Sequence, residues 1–132
     1  GQVARLIEAE HQRGVAYEKI LLAGFSQGGV IALQLGLRFQ HRLAGVMALS
    51  TYLALPATLA AEASEANCHV PIFMGHGIDD SVVPFAHGEA SQRQLVSQGY
   101  KVQWHTYPMD HSIHADEIRH IAAWLKKTLD IA

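Results

Sequence analysis

Residues 19–39 constrain this chain more tightly than any other stretch. An apolar run, a glycine–serine turn and a second apolar run follow one another there without a spacer. After Lys19, the run Ile20-Leu21-Leu22-Ala23-Gly24-Phe25 has no polar side chain on either alternating face, which predicts a strand over 19–25 buried on both sides of a parallel sheet. Residues 27–39 carry Val30, Ile31, Leu33, Leu35 and Leu37, apolar almost all round a helix, which predicts a buried one. Between the two, Gly24-Phe25-Ser26-Gln27-Gly28 reads G-x-S-x-G. That pattern belongs to a sharp strand-to-helix turn with the serine strained at its tip. Strand and helix then approach so closely that the residues two away on either side must lack a Cβ, and Gly24 and Gly28 do. The helix N-terminus points its N–H groups and partial positive charge at the chemistry of Ser26, so the Gln27 N–H is the expected first donor to an oxyanion.

The rest of the chain repeats the alternation. A helix is expected over 2–13 (Val3, Leu6 and Ile7 at helical spacing, Gly14 past its end), a buried strand over 45–50 and a short Ala-rich surface helix over 57–66. A third apolar strand follows at 70–75, with Pro71 tolerable near its start, then a helix over 84–98 with Pro84 in its first turn. Residues 101–107 set Val102, Trp104 and Thr106 against Lys101, Gln103 and His105, so this strand should lie near a sheet edge with one solvated face. The last helix, 115–129, offers the stripe Ile118, Ile121, Ala122, Leu125 and Leu129, with Asp116 and Glu117 at its start and Lys126 and Lys127 at its end, as the helix dipole favours. Helices alternating with apolar strands predict one α/β layer structure: a four-stranded parallel sheet with helices on both faces.

Composition removes several classes of function. A net charge of -2 with 10 scattered Lys and Arg gives no electrostatic case for nucleic acid or an anionic membrane surface. No run approaches the ~20 apolar residues of a membrane span. Cys68 is the one cysteine, so there is neither an intrachain disulfide nor a cysteine metal cluster, and with no signal-peptide pattern a cytoplasmic location is expected. The chain opens on Gly1 and reads at once as the middle of a fold, which predicts a fragment or a processed chain.

A serine hydroxyl is a weak nucleophile at neutral pH. It needs an adjacent base that is itself oriented by a third group. At a turn of this kind the chain order is serine, acid, histidine. His76-Gly77-Ile78-Asp79-Asp80-Ser81-Val82-Val83-Pro84 follows the third strand, and Tyr107-Pro108-Met109-Asp110-His111 follows the fourth. Both segments leave the C-terminal ends of parallel strands, where open α/β sheets place their sites, as Ser26 does. His111 is thus singled out among nine histidines as the base, while spacing leaves Asp79 and Asp80 both open as the acid. His76 reads as a packed strand-end residue buttressing the acid loop, and Asp110 as solvated. Tyr52, Leu53 and Leu55, in the loop after the second strand, read equally as an acyl-lining patch and as loop packing. His111, His114, Asp116 and His120 have no H-E-x-x-H spacing, so no metal is expected.

Taken together, Gly24-Phe25-Ser26-Gln27-Gly28-Gly29, the His76–Pro84 segment and Tyr107–His111 resemble the phospholipase/carboxylesterase family, which includes acyl-protein thioesterases. The likeness runs over nearly the whole chain, including the opening helix and Leu49-Ser50-Thr51-Tyr52-Leu53. The resemblance implies an α/β-hydrolase with little or no lid, no metal and no cofactor. It assigns Ser26 as nucleophile, Asp80 rather than Asp79 as acid, and His111 as base. The family also has an N-terminal half, with further strands and a loop giving the second oxyanion donor. The expectation is therefore a single α/β-hydrolase domain portion over 1–132, its N-terminal strands missing and that donor outside the chain. The expected activity is hydrolysis of small or medium acyl esters through an acyl-enzyme, with Leu53 and Leu55 against the substrate. The alternatives are an acyl-protein thioesterase or lysophospholipase, and a catalytically incomplete fragment needing its N-terminal half. A strand 19–25 left at an open edge would favour association, a homodimer included.

Overall fold

The computed structural model describes residues 1–131. The elements in chain order are α1 (Gln2–Gln12), β1 (Leu21–Phe25), α2 (Gln27–Gly36), β2 (Gly45–Leu49), α3 (Pro56–Glu62), β3 (Ile72–Gly77), α4 (Phe85–Ser97), β4 (Val102–Tyr107) and α5 (Ala115–Thr128). The four strands lie in the order β1-β2-β3-β4, every neighbouring pair parallel. Each connection carries a helix, as a parallel pair requires, and every carboxyl end points the same way. Ser26, Ser50, Ile78 and Pro108 therefore leave the sheet along one rim.

The two faces are covered unequally. Leu22, Val46, Ala48, Ile72 and Met74 form one face and pack with Ile7 of α1, Ala32 and Leu33 of α2, Leu59 of α3 and Leu95 of α4. On the other face Met47, Leu49 and Phe73 pack with Trp124 of α5, joined by Leu21, Ile121 and Leu125. That single helix covers β1 only at its first residue, Leu21. Ala23 is exposed and Phe25 is 39% exposed, so β1 is not buried on both sides as its apolar run suggested. Nor is α2 buried all round: Ile31, on the side away from the sheet, is 44% exposed.

Three further expectations are corrected by contacts between distant segments. Residues 57–66 do not make one surface helix. The helix stops at Glu62, and a 3-10 turn over Glu65–Asn67 follows, its Asn67 N–H bonded to Ser64 Oγ (3.3 Å). The buried Asn67 side chain accepts from Leu43 N–H (2.8 Å) and donates to the Phe39 and His41 carbonyls (both 3.0 Å), so the segment fastens the loop between α2 and β2. At β4 the edge position is observed, but its outer face is only partly solvated. His105 stacks on Phe73 (5.3 Å between ring centroids) and on His120 of α5 (4.3 Å). The inner line of α5 is also turned from the apolar stripe: Ile118 is 58% exposed and Ala122 exposed, while Glu117 and Trp124 are buried. Two strand glycines receive these side chains. A Cβ on Gly45 would lie 3.0 Å from Trp124 Cη2, and one on Gly75 would collide with Glu117 Oε2. Without Cβ atoms there, α5 docks with its bulkiest and its most polar inner residues against the sheet.

Candidate active site

Ser26 is the hinge between β1 and α2, with φ 56° and ψ -118°, a left-handed backbone setting that a residue with a Cβ adopts only under constraint. The constraint is visible. Ser26 N–H donates to Leu49 O (2.8 Å), Thr51 Oγ–H donates to Ser26 O (2.7 Å), and Gly29 and Val30 N–H bond the same carbonyl (3.0 and 3.2 Å). The glycines around the turn are not equivalent. A Cβ on Gly24 would collide with the Gly28 carbonyl and lie 2.5 Å from Gly29 N, whereas one on Gly28 meets nothing within 4 Å among the described residues. The second steric demand falls on Gly29, where a Cβ would sit 2.6 Å from Thr51 Cγ2. The expectation that Gly24 and Gly28 share the requirement is thus corrected: Gly24 and Gly29 carry it. Gln27 begins α2, where its N–H has no intrahelical acceptor.

Asp80 lies in the loop after β3, 6% exposed. Its Oδ1 accepts from Val82 N–H (2.9 Å) and Val83 N–H (2.8 Å), which leaves Oδ2 for His111. His111 Nδ1 stands 2.7 Å from Oδ2 and His111 Nε2 stands 2.9 Å from Ser26 Oγ. A carboxylate only accepts, so Nδ1 carries the proton and Nε2 is free to accept Ser26 O–H. Burial pushes the Asp80 pKa up, but hydrogen bonds from His111 and from the Val83 and Val82 amides outweigh it, and the carboxyl is held below its ordinary value. Asp79 is exposed, and its amide donates to Met109 O (3.0 Å).

The loops are braced from behind. His76, 1% exposed, donates Nε2–H to Val83 O (2.8 Å) and so supports the turn whose amides hold Asp80. Ile78 N–H donates to Tyr107 O (2.9 Å), joining the Asp80 segment to the His111 segment. Phe25 lies over the His111 ring, 4.8 Å between centroids. Its place beside Ser26 was the one sequence cue to this contact. Leu55 is 57% exposed beyond β2, while Leu53 is 5% exposed within the main core. Phe25, Ile78, Val82 and Ile113 add exposed apolar surface to the segments that carry Ser26, Asp80 and His111. His114 and His120 are engaged elsewhere: His114 Nδ1 accepts from Asp116 N–H (3.0 Å), and His120 Nδ1 pairs with Tyr107 O–H (2.8 Å). No described helix is long and apolar enough to cross a membrane.

Comparison with known proteins gives a consistent result. Residues 1–129 match the family model described as phospholipase/carboxylesterase. The chain is 40% identical over 127 residues to acyl-protein thioesterase 1 of Gibberella zeae, covering 94% of this chain and 54% of that protein. With acyl-protein thioesterase 1 of Saccharomyces cerevisiae the identity is 30% over 131 residues, covering 96% and 57%. Among solved structures, Arabidopsis thaliana SOBER1 superposes with a TM-score of 0.91 at 29% identity, over 97% of this chain and 61% of that one. Esterase PE8 gives 0.86 at 32% identity, over 96% and 58%. The chain thus spans about half the length of the curated relatives it matches.

Proposed function

Because this chain belongs to the phospholipase/carboxylesterase family of hydrolases, we propose that it carries the reacting side chains of a serine hydrolase that cleaves acyl thioesters and esters. The observation that carries the reading is the continuous relay from Ser26 Oγ through His111 to Asp80, at 2.9 and 2.7 Å. In this mechanism Ser26 Oγ attacks the acyl carbonyl while His111 Nε2 takes its proton. Asp80 holds the imidazole in the Nδ1–H tautomer and stabilises the imidazolium. The Gln27 N–H receives the developing oxyanion, and a second donor comes from outside these 132 residues. His111 then returns its proton to the leaving thiol or alcohol. Water, deprotonated by the same nitrogen, releases the acid and restores Ser26. Residues 1–132 act in this reading as one α/β-hydrolase unit.

Thioesters lead over short esters as substrates for two reasons. Curated relatives at 40% and 30% identity are named acyl-protein thioesterase 1. The segments bearing the three side chains also expose Phe25, Ile78, Val82 and Ile113, and the loop after β2 exposes Leu55, surface suited to an acyl chain. The test is intact-mass analysis after fluorophosphonate treatment, followed by turnover of a matched thioester and ester series. One adduct on the chain, none on Ser26→Ala, and faster thioester cleavage are the expected results. Turnover retained by Ser26→Ala would refute the mechanism.

A second reading is favoured by the open side of β1, where Ala23 and Phe25 face solvent, and by the exposed Ile31 on α2. Here the chain attains a working site only with a complementary polypeptide covering that side. Size exclusion and hydrogen exchange separate the two: a compact monomer with a protected β1 that accepts the fluorophosphonate would exclude this reading.

A further inference from the structure

Glu117 is the third residue of α5, the helix that begins just after the His111 segment. It is 0% exposed, and neither carboxyl oxygen has a hydrogen-bonding partner among the described residues. Leaving such a group unpaired costs about 1–3 kcal/mol, so an apolar side chain of the same size would serve simple packing better. Its surroundings suggest what the carboxyl does. On one side lies Gly75 of β3, whose missing Cβ leaves the space that the carboxyl fills, with the Tyr107 ring bordering it. On the other is the N-terminus of α5, with His114 as N-cap. A glutamate at the third helical position can reach back to the N-cap amide. Burial pushes the Glu117 pKa up, and the His114 amide and ring pull it the other way. Of the other titratable groups, Tyr107 of β4 borders the same space and Asp116 precedes Glu117 on α5, while His120 pairs with Tyr107 O–H on the far side.

We propose that Glu117 is a positioning residue for His111: its carboxyl closes the first turn of α5 from the inside and so holds the segment that presents the imidazole. The inference rests on the reading of Ser26, Asp80 and His111 as one relay. The Asp80 segment is already tied to the front of this segment through Ile78 N–H and Tyr107 O, and Asp79 N–H and Met109 O. Glu117 fixes it from behind, against the strand that leads into Asp80. The third helical position faces the N-cap amide, so the requirement is an oxygen able to move onto it: glutamine substitutes for the carboxyl and methionine, of similar length, does not.

Two readouts are taken on the full chain: the rate of Ser26 phosphonylation, and the downfield Nδ1–H proton resonance of His111, assigned by its loss in His111→Ala. Glu117→Gln should keep the resonance and label within about threefold of the parent, while Glu117→Met should lose or broaden it and label at least about tenfold more slowly, since displacements of ~1 Å carry such penalties. Gly75→Ala, whose methyl would displace the carboxyl, should reproduce the Met phenotype with Glu117 intact, and it keeps the test open should Glu117→Met fail to fold. A folded Glu117→Met with the parent's rate and resonance would overturn the proposal. Equal loss in the Gln and Met variants, both folded by circular dichroism, would overturn it too. A parent chain that shows the resonance but never labels selects the reading in which a complementary polypeptide completes the site, and the resonance alone then decides for or against Glu117.

Discussion

Alanine at Gly24 and alanine at Gly28 should act in opposite directions, although the two glycines occupy symmetrical places around Ser26. A methyl on Gly24 collides with the carbonyl of Gly28 and with Gly29 N, all main-chain atoms of the first turn of α2. Overpacking costs about 1–3 kcal/mol when side chains can shift aside. Here the helix itself would have to move, and it is held by buried Ala32 and Leu33 and by Gly36, where a Cβ would sit 2.7 Å from Val46 Cγ2. A loss of about 3 kcal/mol or more is therefore expected, a large share of the ~5–15 kcal/mol that keeps a domain folded. A methyl on Gly28 meets nothing within 4 Å among the described residues, and the backbone there is helical. Gly28→Ala should stabilise by about 0.5 kcal/mol through lost freedom of the unfolded chain. Urea unfolding followed by circular dichroism measures both, and fluorophosphonate labelling reports whether Ser26 keeps its place. Gly24→Ala with a midpoint close to the parent's would refute the steric argument, as would Gly28→Ala destabilising to the same degree.

Other perturbations follow from the same geometry. Asp80→Asn should slow Ser26 labelling by about 10³–10⁴-fold by losing the tautomer control of His111, while Asp79→Asn, at an exposed position, should change it little; labelling kinetics of both variants decide which carboxylate acts. Two buried carboxyls should drive stability in opposite directions with pH. Asp80, held below its ordinary 3.8, contributes stability that is full above that value and lost as pH falls through the depressed folded pKa. Glu117, raised above its ordinary 4.5, is most favourable below that value and loses its contribution as pH climbs from 4.5 through the raised folded pKa. Urea midpoints of Glu117→Gln relative to the parent should thus rise between pH 4 and pH 8, and those of Asp80→Asn should approach the parent's below about pH 4. Asn67→Ala should cost about 3 kcal/mol or more, since Leu43 N–H and the Phe39 and His41 carbonyls lose their partner together; thermal unfolding with unchanged Ser26 labelling would separate this from any effect on the site.

The elements that the sequence made legible are those set by neighbours along the chain. The apolar runs at 19–25, 45–50 and 70–75 became β1, β2 and β3 within about two residues, and the alternation at 101–107 marked β4 as the edge strand. Strand–helix alternation then requires parallel pairing, and parallel pairing gathers the segments after each strand at one rim. G-x-S-x-G needed only its two flanking runs to be read as a strained turn, which Ser26 makes with its φ of 56°.

What periodicity did not reveal lies in contacts made across the fold. Only part of the α5 stripe lies inside: Ile121 and Leu125 pack on the sheet, while Ile118 and Ala122 face outward. Gly45 and Gly75, on other strands, instead admit Trp124 and Glu117. A glutamate in the first turn of a helix reads as a solvated dipole partner, and nothing along the chain marks it as buried. Gly28 looked as constrained as Gly24 because the motif is symmetrical in sequence, although only one side of the turn faces main chain. Asp79 and Asp80 are adjacent and chemically alike. The amides of Val82 and Val83, with His111 from 31 residues away, distinguish them by burying one carboxylate. The sequence by itself determined the four strands, their parallel pairing and the rim where the candidate site residues gather, because these follow from periodicity and chain connectivity. Only the tertiary structure decided which carboxylate meets His111, which glycines must be glycine and what lies beneath α5, because each depends on the close approach of side chains that chain order leaves unrelated.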